Sequence, residues 1–498
     1  MRILNMDTLA GHGNRAGRRA VCEILNAGME AGDPYNATLR LVRREGSRLT
    51  VGNADYEPEG APRTGPDVFD LDADIDRVFV FAAGKGLLRV VKALAEVLGP
   101  YLSGGVAIAK YGDEEVLPEA IEVFHGAHPV PDENCVTACV RMLEVIDEAH
   151  LTSRDLVFTA IGNGIGSLMT YPVEGVQLEA VKAMVHLMQI EKGVPTSELS
   201  VLRNQLDRIK GGRLTRRLAP AKMVHILAID ANRAGVKDTG YHGLIHANVW
   251  LHTMPDSGTR EQAVQILKKW DAWERVDASI RAFFEGPQRG EPVLGAEEFE
   301  ALGGRVYGVM PEELGPLPEA MRKAEALGYA PHFINRLREM EAGVMGRFFA
   351  MLGRTVAELG QPFPAPCALF FTGEMLVTVG KGGGVGGRNQ EAALSAALVL
   401  QGKSGIVVGC VDTDGTDGPG GHFDDDAAKA GVYVLSGGVV DTDTWREAQE
   451  KGIDMAAALK AHATSKALWG LDSGVWATQN ISVQDLVVVL VQPAGGQV

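Results

Sequence analysis

At roughly 100 to 200 residues per domain, a chain of 498 residues predicts two or three folded units. Its 48 Lys+Arg against 64 Asp+Glu leave a net charge of −16, which repels phosphate backbones and anionic lipid and so argues against a nucleic-acid or membrane-surface partner. With 46% hydrophobic residues the chain is not disordered, and no stretch reaches the roughly 18 uninterrupted apolar residues of a membrane span. The start Met1-Arg2-Ile3-Leu4-Asn5 lacks the basic, apolar and small-residue regions of a secretory signal, so a cytoplasmic protein acting on small molecules is expected. Five cysteines, Cys22, Cys135, Cys139, Cys367 and Cys410, are poor material for a disulfide framework and read as reduced core thiols.

In chain order, Asp76 to Ala82 reads as a buried strand, Ala83-Gly84-Lys85-Gly86 as its turn, and Leu87 to Leu98 as a helix with apolar residues at three-and-four spacing. Further strands are expected at Gly105 to Lys110, Ile121 to Phe124, Leu156 to Ala160 and Met223 to Ile229. Helices at Glu133 to Ala149 and Glu179 to Ile190 separate them. This alternation predicts a mainly parallel sheet covered on both faces. From Val236 to Ala301 the strand rhythm lapses, and the segment reads as a bridge. A second unit is expected from about Gly304, with helices at Pro316 to Leu327 and Asn335 to Leu359. The run Gln361-Pro362-Phe363-Pro364-Ala365-Pro366 ends the second of these. Strands at Ala368 to Phe371, Met375 to Val379, Ile406 to Cys410 and Leu486 to Val491 suggest a mixed sheet. The expected division is 1–235, a bridging 236–303, and 304–498.

Three stretches suggest chemistry. Gly380-Lys381-Gly382-Gly383-Gly384-Val385-Gly386-Gly387-Arg388-Asn389-Gln390-Glu391 runs into an Ala-rich helix, so that backbone N–H groups and the Arg388 fork read as an anion site. The same residues also fit a plain glycine loop with Arg388 paired to a neighbouring carboxylate. Val411-Asp412-Thr413-Asp414-Gly415-Thr416-Asp417-Gly418 follows a buried strand, where carboxylates suit a metal-nucleotide; ordinary turn chemistry accounts for it equally. Lys85 at a helix start is electrostatically unfavourable unless its ammonium faces an anion. Gly162-Asn163-Gly164-Ile165-Gly166-Ser167, after another strand, is a phosphate cradle or a simple corner. His125, His128, His242, His246 and His252 lack recognised metal-ligand spacing. A dinucleotide fingerprint is absent, so no nicotinamide cofactor is expected.

Taken together, Gly84-Lys85, Gly126-Ala127-His128-Pro129-Val130-Pro131-Asp132, Arg203 with Arg208-Ile209-Lys210-Gly211-Gly212-Arg213-Leu214, Gly386-Gly387-Arg388-Asn389-Gln390-Glu391 and Thr413-Asp414-Gly415-Thr416-Asp417-Gly418-Pro419 resemble the glycerate 2-kinase family of the two-domain type, also labelled hydroxypyruvate reductase. The resemblance spans nearly the whole chain. It implies an α/β fold of two domains, the first Rossmann-like with a mainly parallel sheet and the second with a mixed sheet, with a cleft between them. It implies ATP and Mg2+ or another divalent metal as cofactors, phosphorylation of a hydroxyl on a small hydroxy acid such as D-glycerate, and Lys85 and Arg388 as catalytic cations. Asn163, Gly164, Gly166, Ser167, Gly386, Gly387, Asn389 and Asp417 would then bind the cofactor. Asp230 and Asp414 would hold the metal, and both are candidates for the general base. Monomer and homodimer are equally open.

The chain also departs from the family. Asn163-Gly164-Ile165-Gly166-Ser167 stands for a Ser-Gly-Gly-Gly-Ser loop, and the β-branched Ile165 is expected to obstruct backbone approach. Ile229-Asp230-Ala231-Asn232-Arg233-Ala234-Gly235 keeps one carboxylate of an acidic stretch. Trp250-Leu251-His252-Thr253 replaces a Ser-Gly-Pro-Thr turn. Ala463-Thr464-Ser465 and Ile481-Ser482-Val483-Gln484-Asp485 replace further polar residues. These changes suggest a larger or more apolar acceptor, and they keep three alternatives in view: a phosphatase, a kinase for a different hydroxyl compound such as an aromatic one, and a silent nucleotide-binding relative.

Overall fold

The computed structural model describes the chain except for residues 129, 229–239, 247–249, 288–289, 311–313, 380–382, 403–404, 480–483 and 494–498. Asp230, an expected metal ligand, therefore lies outside the described residues. Two compact units are present, one from residue 34 to about 310 and the other combining Met1–Asp33 with the chain beyond about 312.

The unit beginning at Pro34 opens with a small antiparallel sheet of β1 (Val42–Glu45), β2 (Arg48–Val51) and β3 (Asp67–Asp70). Its main sheet contains β4 (Arg77–Ala83), β5 (Leu102–Lys110), β6 (Ile121–Gly126), β7 (Asp155–Gly162), β8 (Lys222–Ala228) and β9 (Arg305–Gly308), in the order β6-β5-β4-β7-β8-β9. Every pairing in it is parallel. The β-branched and aromatic runs that mark these strands are buried almost throughout, as a sheet covered on both faces requires. Strand order reverses between β4 and β7, the switch point outside whose carboxyl ends open α/β sheets bind ligands.

The expected bridge is part of this unit. Its described residues form the helices Tyr241–His246, Arg260–Lys269, Ala278–Glu285 and Ala296–Leu302. Val276, Ile280 and Phe284 pack with Val181, Leu199 and Leu202 in one apolar cluster. The expected start of the second unit at Gly304 also shifts, because β9 completes the parallel sheet beside β8.

The other unit has a mixed sheet of β10 (Ala330–Glu341), β11 (Cys367–Leu376), β12 (Ile406–Asp412), β13 (Gly437–Asp441), β14 (Gly474–Val475) and β15 (Asp485–Val491), ordered β10-β11-β15-β12-β13-β14. Only β10 and β11 run parallel. The helices Ala342–Leu359 and Arg388–Val399 cover one face. Arg15–Ala31 covers the other, with Val21, Ile24 and Leu25 against Val407, Val439 and Val488. Gly409 makes that approach close, since a Cβ there would stand 2.8 Å from Leu25 Cδ1. This packing attaches residues 1–33 to the C-terminal sheet and not to the unit that follows them in sequence.

The helix expected over Asn335 to Leu359 begins only at Ala342; residues 330–341 are β10, held by a parallel ladder from Ala330 opposite Cys367 to Glu341 opposite Leu376. All five cysteines are reduced and buried. Among the described residues no helix is long and apolar enough to cross a membrane.

Candidate functional site

In the parallel-sheet unit, the turn after β4 and the loop after β7 are locked together at the switch point. Lys85 N–H donates to Asn163 O at 2.8 Å, and Gly84 adopts φ +143°, with Asn163 O and Gly162 N each 3.1 Å from where its Cβ would stand. Only glycine tolerates both that conformation and that approach. Ser167 is buried and its hydroxyl donates to Ala127 O at 2.8 Å, so it braces the loop from beneath. Gly164, at φ +83°, lies between two side chains: its Cβ would fall 2.9 Å from Lys85 Cγ and 3.2 Å from His128 Cδ2. Gly166 faces a second pair, 3.0 Å from Arg203 Nη1 and 3.7 Å from His252 Nε2 by the same construction. A lysine, an arginine and two imidazoles thus border one glycine loop.

Ile165 does not obstruct this loop. It is 1% exposed and belongs to the core with Phe81, Cys135 and Leu168, so its β-branched side chain points inward and leaves Gly164 and Gly166 to form the outer edge. Trp250 packs against the same core. Ile165 therefore gives no reason for a bulkier acceptor.

The Arg208 to Leu214 stretch supports the loop from behind. Lys210 Nζ donates to Asp207 Oδ2 at 2.9 Å and to Thr170 Oγ1 at 3.0 Å. Burial lowers the Lys210 ammonium pKa, against the opposing pull of Asp207. Arg213 satisfies itself on the carbonyl oxygens of Glu291, Asn204 and Lys210. Asp132 caps the helix Glu133–Ala149, accepting from Cys135 N–H at 3.1 Å, so the His128 motif serves as a helix entry. His125 Nε2 pairs with Asp113 O at 2.8 Å.

In the mixed-sheet unit, Arg388 is the first residue of its helix. Its guanidinium donates through Nε to Asp485 Oδ1 at 2.7 Å and through Nη2 to Asp412 Oδ2 at 2.6 Å. The carboxylates are neighbours because β12 and β15 are antiparallel with Asp412 opposite Asp485. Burial alone would lower the Arg388 pKa, but Asp412 and Asp485 raise it. Burial pushes Asp412 and Asp485 upward despite Arg388. Asp412 stood in the carboxylate stretch read from sequence and Asp485 in a segment noted only as a departure, but their pairing was not foreseen: they sit on different strands more than 70 residues apart, and no local pattern foretells their register.

The anion cradle expected at the start of this helix is filled by the protein itself. Asp417 accepts from Asn389 N–H at 3.2 Å and from Gln390 N–H at 2.9 Å, an internal cap on the donors that a phosphate would need. Burial pushes the Asp417 carboxyl up to about 6, with Arg388 opposing. Gly386 and Gly387 serve close packing, since a Cβ on the first would run into Thr464 and on the second into Asp417. Asn389 Nδ2 donates to Asp485 at 2.6 Å. Asp414 Oδ1 accepts from both Thr416 N–H and Thr416 Oγ1 at 2.8 Å, a side-chain turn.

The chain matches two family models, a domain of unknown function (DUF4147) over residues 20–285 and the MOFRL family over 367–480. A glycerate 2-kinase of Pyrococcus horikoshii is 31% identical over 446 residues, covering 89% of this chain and 90% of that one. The chain belongs to the glycerate 2-kinase family. A D-glycerate 2-kinase of Thermotoga maritima is 34% identical, over 84% of this chain and 91% of its own. A crystal structure of glycerate kinase from Thermotoga maritima superposes with a TM-score of 0.71 at 28% identity, covering 96% of this chain and all of that one. Membership of the glycerate 2-kinase family makes the chain a phosphotransferase with an alcohol group as acceptor, and its two-unit α/β architecture is shared with the Thermotoga maritima structure.

Proposed function

We propose that the protein transfers the γ-phosphoryl group of ATP to the 2-hydroxyl of D-glycerate. The observation that carries this reading is the loop after β7, placed at the switch point with Lys85 tied to it through Asn163, in a chain alike over more than four fifths of its length to proteins named glycerate 2-kinase. Phosphoryl transfer proceeds through a loose transition state whose charge spreads over the equatorial oxygens, so the protein's task is positioning and neutralisation. Lys85 is the cation for that charge, its backbone fixed by the Asn163 carbonyl. Asn163, Gly164, Gly166 and Ser167 shape the wall beside it.

Arg388 is the catalytic cation of the mixed-sheet unit. With Nε and Nη2 occupied by Asp485 and Asp412, its work is to hold two carboxylates in place and to present Nη1, which lies 3.9 Å from Glu374 Oε1. Asp417 holds the helix start that carries Arg388 and Asn389. The oxygen donors of Asp412 and Asp414 suit a hard divalent cation such as Mg2+. A divalent cation of this kind takes one or two carboxylates and its remaining ligands from nucleotide phosphates and water. Bound there, Mg2+ would supply charge neutralisation on phosphate oxygens, and Asp414 would be its protein ligand.

A phosphorus NMR time course with Mg-ATP and D-glycerate tests the reading. A new phosphomonoester resonance growing in step with ADP is expected, absent without glycerate. ATP left intact, or hydrolysed to inorganic phosphate alone, refutes it.

A further inference from the structure

Arg203 is 8% exposed and His252 1% exposed, and they stand side by side against Gly166. Other buried cations find compensation. Arg2, Arg18, Lys210 and Arg305 each meet a carboxylate within 3.0 Å, and Arg213 meets three carbonyl oxygens. Arg203 receives one neutral amide oxygen, Gln189 Oε1 at 3.1 Å from Nη2. Among the described residues its buried Nε has no hydrogen-bond partner, and neither ring nitrogen of His252 has one. No carboxylate lies within ion-pair distance of Arg203 among the described residues. Leaving such groups unsatisfied costs free energy unless a ligand completes them.

The arrangement is built and not incidental. Arg213 Nη1 grips Asn204 O, next in chain to Arg203, at 2.7 Å. Gly212 N–H donates to His252 O at 2.9 Å. Asn204 Nδ2 reaches Asp256 Oδ2 at 2.9 Å, beyond His252 in the same segment. Gly212 is held at φ +74° with Leu294 Cβ and Met254 O crowding its missing side chain. The stretch from Asp207 to Arg213 thus fixes the helix Thr196–Gln205, which bears Arg203, against the segment that bears His252.

We propose that Arg203 and His252 form the subsite for the carboxylate and adjacent hydroxyl of a 2-hydroxy acid, with Arg203 taking the carboxylate and His252 the hydroxyl. The inference rests on the proposed function and deepens it by naming which groups recognise the acceptor. A guanidinium edge matches a carboxylate in geometry and charge. Burial, with the charges of Lys210 and Arg203, holds His252 neutral by lowering its pKa well below the ordinary value. A neutral imidazole keeps one N–H and one lone pair, the pair of functions that a hydroxyl bonds. Burial likewise lowers the Arg203 guanidinium to about 10, and a bound carboxylate relieves that cost.

Calorimetric titration of the full chain with D-glycerate, without nucleotide, tests this. Glycerol, which lacks the carboxylate, and inorganic phosphate serve as controls. Arg203→Met is expected to weaken D-glycerate binding roughly 10- to 100-fold and His252→Phe about 10-fold, with Mg-ATP affinity unchanged and glycerol not bound. The conservative variant Arg203→Lys, which keeps the charge but not the two-pronged guanidinium edge, shows a smaller loss of D-glycerate affinity if Arg203→Met fails to fold. Unchanged glycerate affinity in these variants overturns the subsite. So does loss of ATP affinity, or wild-type binding of inorganic phosphate that Arg203→Met abolishes, since either places a phosphate there. If the wild type transfers no phosphate to glycerate, the kinase reading falls separately. Arg203-dependent binding of lactate or malate then upholds the subsite, and no binding of any 2-hydroxy carboxylate overturns it.

Discussion

His225 on β8 offers a quantitative test of how the sheet beneath the loop is held. It is fully buried, its Nδ1 lies 2.8 Å from Thr159 Oγ1 on β7, and its ring stands 5.5 Å from that of Phe299. Burial lowers its pKa from 6.5 to about 4. The unfolded chain therefore binds a proton that the folded chain refuses between these values, and stability rises with pH across that window and is lost as pH falls through it. At about 1.4 kcal/mol per unit, the full difference is about 3 to 4 kcal/mol, and roughly 2 to 3 kcal/mol of it is gone by about pH 4.5. His225→Phe keeps an aromatic ring against Phe299 but loses the bond to Thr159, at a cost of about 1 kcal/mol at neutral pH. The variant is expected to be the less stable protein at pH 7 and the more stable at pH 4.5, the two curves crossing near about pH 6. Because two units need not unfold together, hydrogen exchange of the β7 and β8 amides in graded urea is the appropriate assay. Parallel stability curves for the two proteins, offset by the same amount at every pH, would refute the reasoning.

Three further outcomes are expected. Lys85→Ala should fold as the wild type does by circular dichroism and lose at least about 10³-fold in kcat for phosphoryl transfer, as removal of a charge-stabilising group in a phosphoryl site implies; retained turnover would deny its role. Arg388→Met should do more than lower activity: leaving Asp412 and Asp485 buried without their cation is expected to destabilise the mixed-sheet unit by about 3 to 5 kcal/mol, read as loss of protection in β12 and β15. Gly387→Ala should displace the Asp417 cap and lower the melting temperature, whereas Gly166→Ala, which meets the far end of a flexible side chain, should leave the melting temperature within a degree or two and raise the KM for D-glycerate.

Much of the parallel-sheet unit was legible because its strands are continuous apolar runs closed by glycine. Asp155–Gly162 and Lys222–Ala228 lie within two residues of their expected bounds, and Glu133–Ala149 begins and ends where its Asp132 cap and apolar spacing place it. β10 was misread as helix because its residues are polar and half-exposed, with Leu337 the deeply buried member; an edge strand owes its form to a ladder with β11, which no local periodicity carries. The membership of residues 1–33 was hidden for the same reason, since the partner surface of Val21 and Leu25 lies nearly 400 residues away.

The site divides along a similar line. The backbone of the Lys85 turn and of the Asn163 to Ser167 loop was legible because glycine before a helix records a backbone demand, and Gly84 and Gly164 at positive φ meet that demand. In the second glycine stretch the same signal had another cause: Gly386 and Gly387 admit Thr464 and Asp417, and the plain pairing of Arg388 with neighbouring carboxylates is what the structure contains. Arg203 and His252 entered the sequence reading only through the resemblance and one departure from it, and nothing in their local pattern joins the two, because an arginine in a helix and a histidine two residues after a tryptophan are ordinary in sequence. Their meaning arises from what they lack in space. A buried guanidinium facing a glycine with one amide oxygen for company has a use only when something anionic arrives, and its deficit, unlike the satisfied networks of Arg18 and Arg305, is the kind of cost a fold retains for a ligand.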